Sequence, residues 1–352
     1  MSTLEPNMGY CCWDCVLALL DDARNQRDIN PLRTAVKKGH AKCVQLLLKD
    51  ERINRNQDVN GDGETPIHTA AFQANRECMQ LLLGDRLTNV NQGLTDDGST
   101  PLFIAVQVGH VDCVQLLLAN PRTAVNQARP HDGVTPLYIA AFFGHIDCVQ
   151  LLLADPRTAM NQACTDDGTT PLHIAVYQGH LNCVRLFLAD PRTDVNNTRF
   201  DGASPLLVAA LNGHSEIVEL LLMDDVPTLI DQFFTWRGLV TSSLLCNAAF
   251  SSRLPVFLWK FIFSFLRPRT NVNQVIVTEG LSAGLVRGSS ALWLASSKGH
   301  TACVEHLLAH RDTDVFQPDA AGRTPLQMAQ EGGHAACVAL LAARQKACSF
   351  SR

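Results

Sequence analysis

A short pattern that recurs at nearly constant spacing constrains the fold of this chain more than its composition does. The pattern T-P-L/I-x-x-A begins at Thr65, Thr100, Thr135 and Thr170, with 35 residues between successive copies. Related hexapeptides begin at Asn30, Ser204, Ser290 and Thr324. A fixed period of this length is typical of stacked supersecondary units rather than of separate globular domains.

Residues 170–203 show how one unit is expected to fold. Thr170 is a good helix N-cap, Pro171 suits the first helical position, and Gly179 can end the helix. A second apolar stripe at helical spacing follows and stops at Pro191. A polar, turn-rich stretch comes next. Each unit is therefore predicted to be a helix, a tight turn, an antiparallel helix and a protruding loop.

The pattern T-P-L-x-x-A-x-x-x-G-H, followed by an apolar helix and V-N…D-G, resembles the ankyrin repeat. The resemblance covers residues 12–345, and the units are two residues longer than usual. It implies an all-α fold, an ankyrin-repeat solenoid of stacked helix-turn-helix units with protruding loops or β-hairpins. It also implies a non-enzymatic scaffold that binds other proteins through a concave face and the loop tips.

The repeat frame predicts the following organisation along the chain. It comprises an N-terminal capping half-repeat (1–29), six regular repeats (30–223), an irregular segment (224–289) with one degenerate ninth repeat at about 242–274, two further repeats (290–345) and a frayed tail (346–352).

Composition points to a folded soluble protein that is expected to be a cytoplasmic monomer. The chain is 46% hydrophobic and 18% charged, with a net charge of -5. No basic run predicts nucleic-acid binding, and no secretory signal opens the chain. The 13 cysteines therefore fit a reducing compartment. Location in the nucleus and delivery into a host cell stay open as alternatives.

Two patterns are typical of metal sites but have a simpler interpretation here. His-x-x-Cys occurs six times, as in His110/Cys113, but neighbouring units lie about 10 Å apart and cannot complete one site. We expect the His to order the turn and the Cys to pack in the core. The segment 58–63 begins like a calcium loop, but Thr69 stands where a Glu is needed.

The sequence predicts no catalytic, cofactor-binding or metal-binding residue. No phosphate-binding glycine loop, nucleophile elbow or zinc-hydrolase helix is present. The segment 11–15, CCWDC, is interpreted as part of the capping helix rather than as a metal or redox site. His68 and His173 occupy a slot in which ankyrin repeats commonly carry a structural His.

The residues just before each Gly-His turn lie outside the core pattern and are candidates for partner contact. They include Lys37, Lys38, Ser297 and Lys298, and the residues most expected to contact a partner are Phe72, Gln73, Gln107, Val108, Phe142, Phe143, Tyr177, Gln178, Leu211 and Asn212. Exposed aromatic residues are typical interface anchors. The alternative is that some pack against a neighbouring helix, and Phe143 is the residue most expected to do so. Acidic residues also recur in the loops, from Asp62 to Asp201. We expect most of them to stabilise their own turns. The alternative is that together they favour a partner with basic residues.

Asn196 is a candidate for hydroxylation by resemblance to the ankyrin repeats that asparagine hydroxylases modify. Leu188, Asp194 and Val195 precede it in the favoured positions, whereas Asn91 and Asn126 match less fully. The alternative is that Asn196 only caps its turn.

The segment 254–266, LPVFLWKFIFSFL, is the most hydrophobic run in the chain. It is too short for a membrane span, which needs about 20 residues. It resembles the opening of an F-box, which implies an alternative function as a substrate-recruiting adaptor of a ubiquitin ligase. The repeat frame instead predicts the second helix of the degenerate unit.

Overall fold

The described part of the chain consists of helix pairs, one pair for each predicted regular repeat. The computed structural model describes residues 30–58, 61–223, 270–277 and 286–350. These residues contain sixteen helices and no strand, so the prediction of an all-α repeat fold is confirmed for them. The chain divides into two compact units, Met1–Ala159 and Met160–Arg352.

The first unit contains four helix pairs. They are α1 (Pro31–Lys37) and α2 (Ala41–Leu47), α3 (Pro66–Phe72) and α4 (Arg76–Gly84), α5 (Pro101–Val108) and α6 (Val111–Ala119), and α7 (Pro136–Phe143) and α8 (Ile146–Ala154).

The second unit also contains four helix pairs among its described residues. They are α9 (Pro171–Tyr177) and α10 (Leu181–Ala189), α11 (Pro205–Asn212) and α12 (Ser215–Leu222), α13 (Ala291–Lys298) and α14 (Thr301–Ala309), and α15 (Pro325–Glu331) and α16 (Ala335–Phe350).

The first helix of a repeat begins and ends as the sequence predicts. At the start of α5, the Thr100 side chain accepts a hydrogen bond from the Phe103 amide, and Pro101 occupies the first turn. Proline is tolerated there because its missing N–H would have no partner inside the helix. Gly109 then adopts a left-handed conformation with φ of 81° and ends the helix.

The core is a continuous layer between first and second helices. Leu102, Ala105 and Val106 of α5 are buried, and so are Cys113 and Leu117 of α6. Within the first unit, α3 contacts α5 and α5 contacts α7, while α4 contacts α6 and α6 contacts α8. Each repeat therefore buries its apolar stripes against its neighbours, as expected for a stack in which one repeat alone has too little core.

The loops that follow the second helices are tied together by an asparagine ladder. Asn91 Nδ2 donates to the Arg122 carbonyl at 2.7 Å, and its Oδ1 accepts from the Ala124 amide at 2.8 Å. Asn126 makes the equivalent pair with Arg157 and Ala159. One side chain thus satisfies two backbone groups of the next repeat, so the loops keep the register of the helices.

In the second unit, the repeat that begins at Ser204 is followed in space directly by the repeat that begins at Ser290. Helix α11 contacts α13, and α12 contacts α14. His300 Nε2 donates to the Leu211 carbonyl at 3.1 Å. A further repeat cannot lie between helices that are in contact with each other.

Residues 270–277 complete the Ser204 repeat rather than a separate ninth one. Thr270 Oγ1 donates to the Leu221 carbonyl at 2.7 Å, and the Asn271 amide donates to Asn196 Oδ1 at 2.8 Å. The same two bonds occur in the regular repeats. Residues 270–274, which the repeat frame assigned to a degenerate unit at about 242–274, therefore make the loop contacts of the Ser204 repeat. The helices predicted for that unit, including 254–266, lie outside the described residues.

The end of the chain also differs from the prediction. Helix α16 continues to Phe350, so residues 346–350, which the repeat frame placed in the C-terminal tail, are helical. No Gly or Pro follows Arg344 to stop the helix, and Gln345, Lys346 and Ala347 are good helix formers. The N-terminal capping half-repeat predicted for 1–29 lies outside the described residues.

Replacing Ala74 with glycine is expected to stabilise the first unit. Ala74 has φ of 56° and is the described non-glycine residue with positive φ. It stands where other repeats have the glycine of Gly-His. A residue with a Cβ in this region of backbone conformation is strained by about 1–2 kcal/mol. Glycine removes this strain, but its greater conformational freedom in the unfolded chain cancels part of the gain. We expect Ala74→Gly to raise the free energy of unfolding by about 0.5–1 kcal/mol in urea titrations followed by circular dichroism.

Gly109→Ala is the matched reverse change. Gly109 has φ of 81°, and an added Cβ would lie 3.1 Å from the His145 ring. It should lower stability by more than about 1 kcal/mol. If the free energy of unfolding of Ala74→Gly were equal to or lower than that of the wild type, the proposal that Ala74 is strained would be contradicted.

Candidate functional site

The last turn of each first helix projects out of the core. In α7, Leu137, Ala140 and Ala141 are buried, whereas Phe142 and Phe143 at its end are 37% and 44% exposed. The buried residues repeat at helical spacing, so the two residues that follow fall beyond the face that packs on the neighbouring helices. Large apolar side chains are therefore left facing solvent at a defined place in the repeat.

The first unit carries the same feature in three consecutive repeats. Phe72 at the end of α3 is 57% exposed, and Val108 at the end of α5 is 40% exposed. Gln73 and Gln107 beside them are exposed as well. The exposure expected for these positions is therefore observed, while their role in binding stays a prediction.

Phe143 makes its aromatic contacts within its own repeat. Its ring meets Phe142 edge-on with centroids 5.0 Å apart, and it stacks on His145 at 5.7 Å. The side chain is 44% exposed. Packing of Phe143 against a neighbouring helix stays a prediction.

The second unit presents the feature less openly. Tyr177 at the end of α9 is 52% exposed, and Gln178 beside it is exposed. Leu211 and Asn212 at the end of α11 are only half-buried. Asn212 Nδ2 donates to the Val208 carbonyl of its own helix at 3.1 Å. Of the four predicted residues in this unit, Tyr177 offers the largest accessible apolar surface.

Two apolar residues of the same surface were missed by the sequence reasoning. Val111 and Ile146 open helices α6 and α8 and are 37% and 40% exposed. The sequence contains a signal for their exposure. The residue that follows Gly-His is Val111 or Ile146 in these repeats but Ser215 or Thr301 in others. A position that accepts polar residues is not part of the core pattern. We call Phe72, Val108, Phe142 and Phe143, together with Val111 and Ile146, the turn row.

Hydrogen bonds between repeats fix the backbone under the turn row. His110 Nε2 donates to the Phe72 carbonyl at 3.0 Å, and His145 Nε2 donates to the Gln107 carbonyl at 3.1 Å. Asn75 takes the place of the histidine in its repeat and donates from Nδ2 to the Val36 carbonyl at 2.6 Å. The Phe72 and Gln107 carbonyls lie at the ends of first helices and would otherwise lack a partner in the helix, whereas the Val36 carbonyl also accepts from the Gly39 amide at 2.9 Å.

The comparison with known families gives one match and no closer relative. The family model for ankyrin repeats matches residues 7–93, 85–162, 156–230 and 263–351. The chain belongs to the ankyrin-repeat family. A search of curated proteins finds no match. Ankyrin repeats are generally modules for interaction between proteins and are typically non-enzymatic.

The His-x-x-Cys pairs of these ankyrin repeats consist of a histidine at the turn and a cysteine in the core, as His110 and Cys113 show. Cys113 is fully buried, with Sγ 3.9 Å from the Ala70 carbonyl. Burial raises the pKa of the Cys113 thiol to about 11, so it stays protonated at neutral pH. No group of three or more potential metal ligands occurs in the part of the chain that the structure describes.

The calcium-like segment serves the turn of an ankyrin loop. Asp58 accepts from the amides of Gly61 at 3.0 Å and Gly63 at 2.8 Å, and Asp62 accepts from the Glu64 amide at 3.0 Å. Carboxylate oxygens that hold backbone amides in this way stabilise the loop itself. The segment 11–15 lies outside the described residues.

His173 is a structural residue of its ankyrin repeat. Its Nδ1 lies 2.8 Å from Thr170 Oγ1 in a capping box, and its Nε2 donates to the Ala203 carbonyl at 3.1 Å. The side chain is 1% exposed. Both ring nitrogens are engaged away from solvent, so His173 is poorly placed to exchange a proton with a substrate.

Acid is expected to destabilise the second unit through His173. Burial lowers the pKa of His173 from 6.5 to about 4. Between these values the unfolded chain binds the proton and the folded chain does not, so the contribution is complete above pH 6.5 and is lost as the pH falls. Urea titrations from pH 7.5 to 4 should show a loss of up to roughly 3 kcal/mol from this residue.

His173→Gln is the variant that isolates this effect. Gln327 holds the equivalent position in the last repeat and accepts from the Thr324 amide at 2.8 Å, so glutamine preserves the cap. The variant should lose about 1 kcal/mol at neutral pH for the bond to Ala203 and show a shallower decline in acid. An unchanged pH dependence would exclude His173 as the titrating group.

Proposed function

We propose that this chain is a non-enzymatic scaffold that binds a partner protein through the ends of its first helices and its loop tips. One observation carries the proposal. Aromatic side chains recur at the same place in different repeats, where Phe72, Phe142 and Tyr177 are 57%, 37% and 52% exposed. A core position would be buried, and a purely solvated one would have no reason to be aromatic.

The backbone geometry supports this use of the aromatic residues. The Phe72 and Tyr177 carbonyls accept hydrogen bonds from His110 and His214 of the following repeats, at 3.0 and 3.2 Å. The peptide that carries each ring is therefore held in place before a partner arrives. Rigid aromatic anchors lose little conformational entropy on binding, which favours affinity.

The loops contribute fewer free charges than their sequences suggest. Asp97, Asp132 and Asp201 accept from amides within their own turns. Arg129 forms ion pairs with Asp97 and Asp132. Asp96 is exposed and stands beside these turns. The apolar helix ends are therefore the stronger part of the proposed surface, and the loop tips are secondary.

The proposal also places the protein in the cytoplasm as a monomer. Eight cysteines of the described residues are free thiols, which fits a reducing compartment. Cys43 is disulfide-bonded, which argues in the opposite direction, because disulfides are rare in reducing compartments. No helix in the described ranges is long and apolar enough to cross a membrane.

A triple variant tests the proposed surface. Phe72→Ala/Phe142→Ala/Tyr177→Ala should keep the fold, because all three side chains are exposed at the ends of first helices, beyond the buried residues of those helices. It should lose partner proteins that the wild type retains in parallel affinity capture with quantitative mass spectrometry. Each aromatic anchor that contacts a partner is expected to cost about 1–2 kcal/mol or more of binding free energy.

The matched control removes exposed apolar side chains elsewhere. Leu87 and Met223 are 63% and 53% exposed and lie outside the first-helix ends, so Leu87→Ala/Met223→Ala should retain the same partners. Equal losses from both variants, or from neither, would contradict the proposed surface. Recovery of ubiquitin-ligase core subunits would favour the adaptor function inferred from residues 254–266, which the structure does not describe.

We further propose Asn196 as a site of hydroxylation. Asn196 is half-buried, and its Oδ1 accepts from the Asn271 amide at 2.8 Å. Leu188 and Val195, which match the favoured positions, are buried at 3% and 2% exposure. A hydroxylase that reads these side chains must therefore act on a locally opened repeat.

Peptide mass spectrometry of the protein from cells with an active asparagine hydroxylase should show a gain of one oxygen on Asn196. Asn126 provides the internal comparison, because it holds the same ladder position without the complete set of flanking residues. Absence of the gain on Asn196 under these conditions would leave the turn-capping role alone.

A further inference from the structure

The turn row of the first unit ends at a group of exposed lysines. Lys37 and Lys38 close the first helix of the Asn30 repeat, and Lys42 lies in its second helix. All three side chains are exposed. Among the described residues, no carboxylate forms an ion pair with them.

The lysines and the apolar residues belong to one continuous edge of the first unit. Asn75 Nδ2 donates to the Val36 carbonyl, directly before Lys37 in the chain. His110 then links the next repeat to Phe72, and His145 links the one after to Gln107. Three successive hydrogen bonds thus connect the lysine turn to the turn that carries Phe142 and Phe143.

This edge has opposite charge at its two ends. The three apolar turns carry the acidic residues Glu77, Asp112 and Asp147, all exposed, and Arg76 is paired with Asp112. Positive charge is therefore concentrated at the lysine turn, and the acidic residues of these turns that form no ion pair within the described residues are Glu77 in the next turn and Asp147 at α8. A ligand that lies along the edge meets a different charge at each end, which favours one direction of docking.

We propose that the turn row binds a polypeptide segment with large apolar side chains and a group of acidic residues at one end. The acidic residues meet Lys37 and Lys38, and the apolar side chains cover Phe72, Val108, Phe142 and Phe143. This inference rests on the proposed function and narrows it to a class of partner. Apolar contact supplies most of the affinity, and the lysines set the direction and the charge preference.

The repeat spacing fixes the length of such a segment. Neighbouring helices lie about 8–10 Å apart, so the edge from the lysine turn to α7 spans roughly 30 Å. That length corresponds to about 20 residues of helix or to about 9 residues of extended chain. A random library of about 20-residue peptides can present either form.

Selection from such a displayed library against the full chain tests the proposal. Peptides that the wild type enriches, but that Phe72→Ala/Phe142→Ala does not, should combine large apolar residues with acidic residues at one end. Synthetic copies of these peptides should bind the charge-reversed variant Lys37→Glu/Lys38→Glu roughly tenfold more weakly at low salt. The difference should shrink in 1 M salt, where such charges are screened.

The control reverses the same number of charges away from the edge. Lys49 and Arg86 are exposed in the same unit, so Lys49→Glu/Arg86→Glu should leave binding within about twofold of the wild type, as expected for a distant surface change.

Equal weakening by both charge reversals, or selection of peptides without acidic residues, would overturn the inference of an acidic partner, while the protein-binding function would stand. Failure to enrich any peptide, or enrichment that ignores Phe72 and Phe142, would overturn the turn row as a docking surface. If the triple alanine variant captured the same partners as the wild type, that result would contradict the proposed function itself.

Discussion

The structure depends on one hydrogen bond that recurs at the turn between the helices of each repeat. In the first unit Asn75, His110 and His145 each donate to a carbonyl near the end of the preceding first helix. Helix ends leave carbonyls without partners inside the helix, and such groups must be satisfied elsewhere. Because the donor comes from the next repeat, satisfying the helix end also sets the register of the stack. Where the turn carries a glycine, that residue leaves space for the donor side chain, as Gly109 does for His145.

The same bond explains why exposed aromatic residues can exist here without disorder of the backbone. The acceptor carbonyl in the Phe72 turn belongs to the residue whose side chain points to solvent. The main chain is therefore fixed by the stack, while more than half of the side chain is exposed. A mutation of this side chain can change the binding surface without removing the backbone hydrogen bond between the repeats. A binding scaffold requires such independence of its binding residues from its stabilising contacts.

Local signals in the sequence predict the regular repeats well. The N-cap residue, the proline of the first turn and the terminal glycine each set a helix boundary through contacts within a few residues. Contacts between repeats are harder to predict. Trp293 occupies the slot of His173 and donates from Nε1 to the Arg323 carbonyl at 3.0 Å, an equivalence that similarity of residue type does not suggest. Ala74 adopts a positive φ because the surrounding turns impose it. Exposure of Val111 follows from packing between helices rather than from the period of one helix.

The Ser204 repeat joins its second helix to its loop across residues 224–269, yet its contacts with the next repeat match those of its neighbours. Lengthening a connection costs little, about 0.6 kcal/mol for each doubling. The register of the stack is therefore independent of how many residues join the second helix of this repeat to its loop, because the contacts that set it lie in the helices and in residues 270–277.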